Sequence, residues 1–197
     1  MIVKKIIDIC KAANTLYVYE DGKGVQWLSD GSAIYPLHGI PRFEDADEIC
    51  RTFDISEKKK DKMCFRWNGT MPSGLDFSDY SQKEEICNRA PVDLRDGTIP
   101  FFGAEKMLFM QAKYIGPIMD AEEGMLEVYE RRNEAGKNYF AVKSGLMLKA
   151  IIMPYNALDE MTVKNIEIMA KRCRDEIGKN IKEVEDEPQE VLDYGTF

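Results

Sequence analysis

His38 is the one histidine of the chain, and it falls between Pro36 and Pro41 in a stretch that reads as a turn. A general base at neutral pH needs an imidazole, or a carboxylate of tuned pKa, within reach of its proton. No Ser-His-Asp or Cys-His arrangement can be built around His38 from spacing, so a structural or exposed role is its ordinary reading. The five cysteines, Cys10, Cys50, Cys64, Cys87 and Cys173, are odd in number, far apart and never in a C-x-x-C pair. They suggest neither a disulfide framework nor a zinc site, and reduced, mostly buried thiols are expected. The acids do not cluster as metal ligands, and the glycines form neither a Walker loop nor G-x-G-x-x-G. The densest acidic run, Glu44-Asp45-Ala46-Asp47-Glu48, suits the first turn of a helix, whose dipole favours negative charge. The expectation is a protein that is not an enzyme and uses no metal or cofactor.

The remaining chemistry is electrostatic. The chain has 197 residues and a formal net charge of −8, but the segment from Glu183 to Phe197 holds six acids and no lysine or arginine. Without that segment the balance is −2, and a nearly neutral body can still carry a basic face. Lys164, Lys171 and Arg174 follow one another at intervals of 7 and 3 residues and share one face of a helix. An ordinary solvated face has the same pattern. Lys58-Lys59-Lys60 and Lys62 are denser, yet Glu57 and Asp61 flank or interrupt them, so a charged loop is expected there.

These residues must be positioned by regular elements, for which a chain 44% hydrophobic and 31% charged has enough apolar material. Val3, Ile6, Ile7, Cys10 and Ala13 recur at helical spacing and predict a short amphipathic helix. Leu16–Glu20 then reads as a strand. Asp21-Gly22-Lys23-Gly24 turns it into Val25–Leu28, and Ser29-Asp30-Gly31 leads to a further strand, Ala33–Leu37. Helical spacing returns between Glu44 and Phe53, and Lys62–Trp67 reads as a strand. Residues 68–104, rich in Gly, Pro, Ser and Asp, are expected to be a long irregular connection. Beyond them come a strand at Lys106–Met110, a short helix at Ala112–Met119, and strands near Met125–Arg131, Asn138–Lys143 and Leu146–Met153. A long helix starts near Ala157, with Val163, Ile166, Ala170, Cys173, Ile177 and Ile181 on one stripe. No apolar run approaches the ~20 residues of a bilayer span, and charge interrupts the amino-terminal run too soon for a signal peptide. A cytoplasmic protein without membrane contact is expected.

The two ordered regions echo one another. LYVYE at Leu16–Glu20 matches LEVYE at Leu126–Glu130 with an offset of 110 residues. Each copy follows a short helix, continues into a hairpin and a Ser-Gly-type turn, and ends its last strand in proline, Pro36 or Pro154. The predicted organisation is therefore α+β, with two related helix-and-antiparallel-sheet halves at 1–67 and 105–182. An irregular connection at 68–104 and an acidic flexible tail at 183–197 complete it.

Particular residues of both halves resemble a known family. Trp27-Leu28-Ser29-Asp30-Gly31-Ser32-Ala33-Ile34-Tyr35 looks like the strand, Asp-Gly turn and strand of DNA sliding clamps, although the His and Arg common in that family's turn are lacking. Gln111-Ala112-Lys113-Tyr114-Ile115 resembles the clamp segment Asn-x-Lys-Tyr-Leu, where a strand enters its helix. Ala150-Ile151-Ile152-Met153-Pro154-Tyr155 resembles the closing strand with its Met-Pro ending. The likeness covers about three quarters of the chain and specifies architecture better than mechanism.

The resemblance implies a DNA-clamp-like accessory protein, such as a processivity factor of phage or prophage replication. Its partners would be duplex DNA, replication proteins and further copies of the chain, since three two-domain copies could close a ring. Lysines and arginines on inner helices would attract phosphates without reading bases. The candidates are Lys4, Lys5, Lys11, Lys113, Lys164, Lys171 and Arg174. Gln189, Leu192 and Tyr194 have the Gln-x-x-Leu-x-aromatic form of peptides that dock into clamp pockets. The alternative is a structural or protein-interaction module with no nucleic-acid partner.

Overall fold

The computed structural model describes residues 2–90, 97–119, 125–158 and 160–185, the side chains of 160 and 179–185 excepted. It is a mixed α+β structure with one large sheet. Helix α1 (Val3–Ala13) turns Ile6, Ile7 and Cys10 inward and ends at Asn14, whose backbone is left-handed with φ 52°. Strand β1 (Thr15–Glu20) buries Leu16 and Val18 and leaves Tyr17 and Tyr19 half-exposed. The turn into β2 (Gln26–Ser29) is fastened by the Asp21 carboxylate, which accepts the amides of Lys23 and Val25 and the indole N–H of Trp27. In the next turn Asp30 Oδ1 accepts the amides of Ser32 and Ala33 at 2.9 Å each, and Gly31 takes φ +93°, which opens β3 (Ala33–Pro36).

Helix α2 (Ala46–Thr52) begins where its acidic run was expected, with Asp45 accepting the amide of Glu48 as the N-cap. The lysine cluster departs from expectation, because Glu57–Lys60 is a helical turn, α3, and not a loop. Lys59 donates to Asn14 Oδ1 and Lys60 pairs with Asp47, so neighbouring elements fix what the charges alone left open. Strand β4 (Cys64–Thr70) then lies parallel to β1. The 68–104 region holds more structure than its composition suggests, in β5 (Glu85–Ile86), β6 (Asn88–Arg89) and β7 (Thr98–Phe102). After β8 (Met107–Gln111), a single 3-10 turn (Ala112–Tyr114) stands where a short helix was expected. Pro117 disfavours helical backbone at Gly116, which limits that helix to one turn. Strands β9 (Leu126–Arg132), β10 (Asn138–Ser144) and β11 (Met147–Ile152) follow, then helix α4 (Glu160–Glu185).

The large sheet runs β4-β1-β2-β3-β11-β10-β9-β5, and a three-stranded sheet runs β6-β7-β8. Its middle is the antiparallel pairing of β3 with β11, Ile34 opposite Ile151 and Ala33 opposite Ile152. Outward from that pairing the order is the same in both directions: β3, β2, β1 one way and β11, β10, β9 the other. The LYVYE and LEVYE segments therefore occupy corresponding strands, β1 and β9.

Strands β2, β3, β10 and β11 are almost wholly buried because both faces of the sheet are covered. On one face α1 and α2 join Leu28, Tyr35, Phe140, Val142 and Ile152, together with Phe101 and Met110 of the small sheet, in one cluster. On the other, Trp27, Ile34, Tyr139 and Ile151 lie under Met71, Leu75 and Phe77, with the Trp27 and Phe77 rings 5.2 Å apart. Covering this second face is the structural task of the connection after β4. The chain divides into two compact units, Met1–Tyr155 and Asn156–Phe197. No helix of the described residues is long and apolar enough to cross a membrane.

Candidate nucleic-acid interface

The inward stripe of α1 leaves Lys4, Lys5 and Asp8 exposed. Segment 112–118 runs antiparallel beside it. At one end the Ile2 amide donates to the Pro117 carbonyl at 2.8 Å and Lys5 Nζ to the Gly116 carbonyl at 3.3 Å. At the other end Ala13 and Lys113 line a common cavity. Ile6, Ile7 and Cys10 share one buried cluster with Tyr114 and Ile118, so both segments lie on the same face of the sheet. Lys11 reaches the other way, with Nζ donating to the Phe53 carbonyl at 2.6 Å. It thereby satisfies a carbonyl at the C-terminus of α2, where positive charge is favoured.

Lys113 is exposed, its Nζ 4.8 Å from the centre of the Tyr114 ring. The ring below is firmly held: Tyr114 donates its hydroxyl to Asp30 Oδ2 at 3.0 Å, and Tyr35 donates to the Tyr114 carbonyl at 2.9 Å. Burial, helped by the Asp30 charge, pushes the Tyr114 phenol up to about 12 and the Tyr35 phenol higher, so both remain protonated donors. The adjoining cavity of about 320 Å³ is lined by Asp30, Ser32, Lys113 and Tyr155, among others. The Asp-Gly turn, the entry to the 3-10 turn and the end of β11 thus converge on one place.

Of the candidate cations, Lys4, Lys5 and Lys113 are exposed, Lys5 against the 112–118 segment, while Lys4, two turns before Lys11, lies on the helix edge from which Lys11 is drawn to α2. Lys164, Lys171 and Arg174 are exposed on α4, in the second unit. Gln189, Leu192 and Tyr194 lie outside the described residues.

A buried ionic cluster went unread in the sequence. Arg131, 2% exposed, donates Nε and Nη2 to Glu84 Oε2 at 2.9 and 2.6 Å, and Nη1 to the carbonyls of Asp76 and Ser78. Lys143 pairs with Glu84 Oε1 and lies 4.6 Å from the Tyr129 ring. Burial alone would raise the Glu84 carboxyl, but hydrogen bonds from Lys143 and Arg131 outweigh it and hold Glu84 below its ordinary value. The available signal was a basic residue on each of two neighbouring strands, Arg131 on β9 and Lys143 on the apolar β10. Beside the cluster an open cavity of about 920 Å³ is lined by Asp79, Tyr80, Glu127, Tyr129 and Leu146, among others.

Burial pushes the thiols of Cys10, Cys50 and Cys87 up, Cys87 to about 11, away from the nucleophilic thiolate. His38 is exposed in its turn. Among the described residues no three His, Cys, Asp or Glu are grouped to hold a metal. No family model matches the chain, and neither a curated protein nor a solved structure matches it.

Proposed function

We propose that the protein is a non-enzymatic, DNA-clamp-like accessory of phage or prophage replication, in which residues 1–67 and 105–182 are duplicates of one ancestral unit. The observation that carries this reading is the strand order about the β3–β11 pairing, with helical segments on one face before each meander. Those segments, α1 and 112–118, run antiparallel and present Lys4, Lys5 and Lys113. Such a surface suits sliding, because ammonium groups attract phosphates at long range and carry no base readout. Asp8 tempers the charge, consistent with weak, mobile contact. Replication proteins and further copies of the chain are the partners this reading calls for.

Duplex affinity measured against salt tests it. The chain ending at Lys182 should bind at low salt, with log K falling linearly in log salt. Lys4→Ala, Lys5→Ala and Lys113→Ala should each flatten the slope by about one unit or less. Absence of duplex binding at low salt would overturn the reading. A protein-interaction module without nucleic acid is the second reading. It draws on the cavity beside Glu84, whose rim exposes Tyr80, Leu146 and Met147.

A further inference from the structure

Helix α4 runs for 26 residues, and every described side chain from Met161 to Gly178 is exposed except that of Thr162. The buried core is drawn from residues 6–152. Yet Val163, Ile166, Ala170, Cys173 and Ile177 keep the alternating three- and four-residue spacing of a two-helix seam, the first and fourth positions of a heptad. Such a stripe suits a helix that packs against a partner, since most helical stability in proteins comes from packing an apolar face.

The charges beside the stripe point to its occupant. Glu167 and Arg174 follow Ile166 and Cys173, so they flank the same edge of the seam one heptad apart. When two copies of α4 are laid antiparallel, one register puts Ile166 against Ile177 of the second copy and Ala170 against its Cys173. That same register sets Glu167 of each chain beside Arg174 of the other. The small central residues allow the axes to come close, and the outer face retains Lys171 four residues from both Glu167 and Asp175, spacing that favours pairing within the helix. A parallel register would instead place Arg174 beside Met169 and Glu167 beside Thr162, with neither charge answered. Ile168 and Met161 fall outside the seam in either case.

We propose that α4 is a dimerisation helix that pairs antiparallel with α4 of a second copy of this chain along Val163, Ile166, Ala170, Cys173 and Ile177, with reciprocal Glu167–Arg174 ion pairs. The proposal does not depend on DNA binding.

Sedimentation equilibrium of the full chain tests it. The wild type should show twice the chain mass, and Ile166→Asp should restore the single mass while leaving the circular dichroism of the body intact. Glu167→Arg and Arg174→Glu should each weaken association about tenfold, because each puts two like-charge pairs where opposite charges stood. The double exchange should return affinity to within about threefold of wild type. The antiparallel register also sets the two Cys173 residues about 4.5 Å out of step along the axis, at 1.5 Å per residue, too far across the seam for a disulfide. In Cys64→Ser protein, mild oxidation should therefore leave Cys173 unlinked, whereas a parallel pair would cross-link there. A wild type that stays monomeric up to about 0.1 mM, a double exchange no better than its singles, or a Cys173–Cys173 disulfide would each overturn the proposal.

Discussion

Glu84 holds two cations in a place where neither could remain alone. Arg131 is 2% and Lys143 4% exposed, and the carboxylate that joins them belongs to the connection between β4 and β5. Removing one partner of a buried pair leaves an uncompensated charge, so Glu84→Gln should lower stability by about 3–5 kcal/mol, read from the urea midpoint. The acid limb follows from the same contacts. The folded carboxyl titrates below its ordinary 4.5, so its contribution is complete above that value and is lost as pH falls through the folded pKa. Wild-type stability should therefore decline below pH ~4.5, and Glu84→Gln should show a shallower decline. The cysteines make a second prediction at this scale. Cys64 is exposed and should react with a thiol reagent in the folded protein, whereas Cys10, Cys50 and Cys87 should react only on unfolding. The burial of Cys10 and Cys50 was legible in advance, because they sit on the apolar faces of their helices. The role of Glu84 was not legible, since its partners lie 47 and 59 residues further along the chain.

Elements were legible where an apolar period met a chemical stop. The α1 stripe ended at Asn14, which takes the left-handed backbone; β1, β2 and β3 were bounded by turns that Asp21 and Asp30 fasten through their own carboxylates. Trp27, Tyr35 and Ile151 are buried in the core, and Met153 is partly buried against it. Legibility failed where an element has no period to show. Strands β5 and β6 are two residues each and exist through their partners, Glu130 and Tyr129 for one, Phe102 and Phe101 for the other. Nor could composition disclose that Met71, Leu75 and Phe77 close the second face of the sheet. Close approach in the turn between β7 and β8 gives a prediction. A Cβ on Gly103 would stand 2.5 Å from Glu130 Oε2 and 2.8 Å from the Lys106 carbonyl. The backbone carbonyl cannot move aside cheaply, and Gly103 also donates its amide to it. Gly103→Ala should cost about 1–3 kcal/mol in thermal or urea unfolding, whereas Gly136→Ala, with open space around it but φ +73°, should cost about 1 kcal/mol.

For the whole molecule the deciding quantity is where charge stands relative to the proposed DNA surface. The chain carries −8, and six of its acids lie in Glu183–Phe197 without one compensating cation. If Lys4, Lys5 and Lys113 attract phosphate as proposed, a polyanionic segment on the same chain would compete for them. That competition is electrostatic and must fade as ions screen it, over a Debye length of about 10 Å at 0.1 M salt and about 3 Å at 1 M. Ending the chain at Lys182 should therefore raise duplex affinity several-fold near 50 mM salt, with the advantage shrinking as salt increases. The two chains' plots of log K against log salt should converge, the shorter chain falling more steeply. Parallel plots would mean that the tail obstructs the surface by its bulk, and coincident plots that it never reaches the lysines; either result would leave its charge without a part in binding.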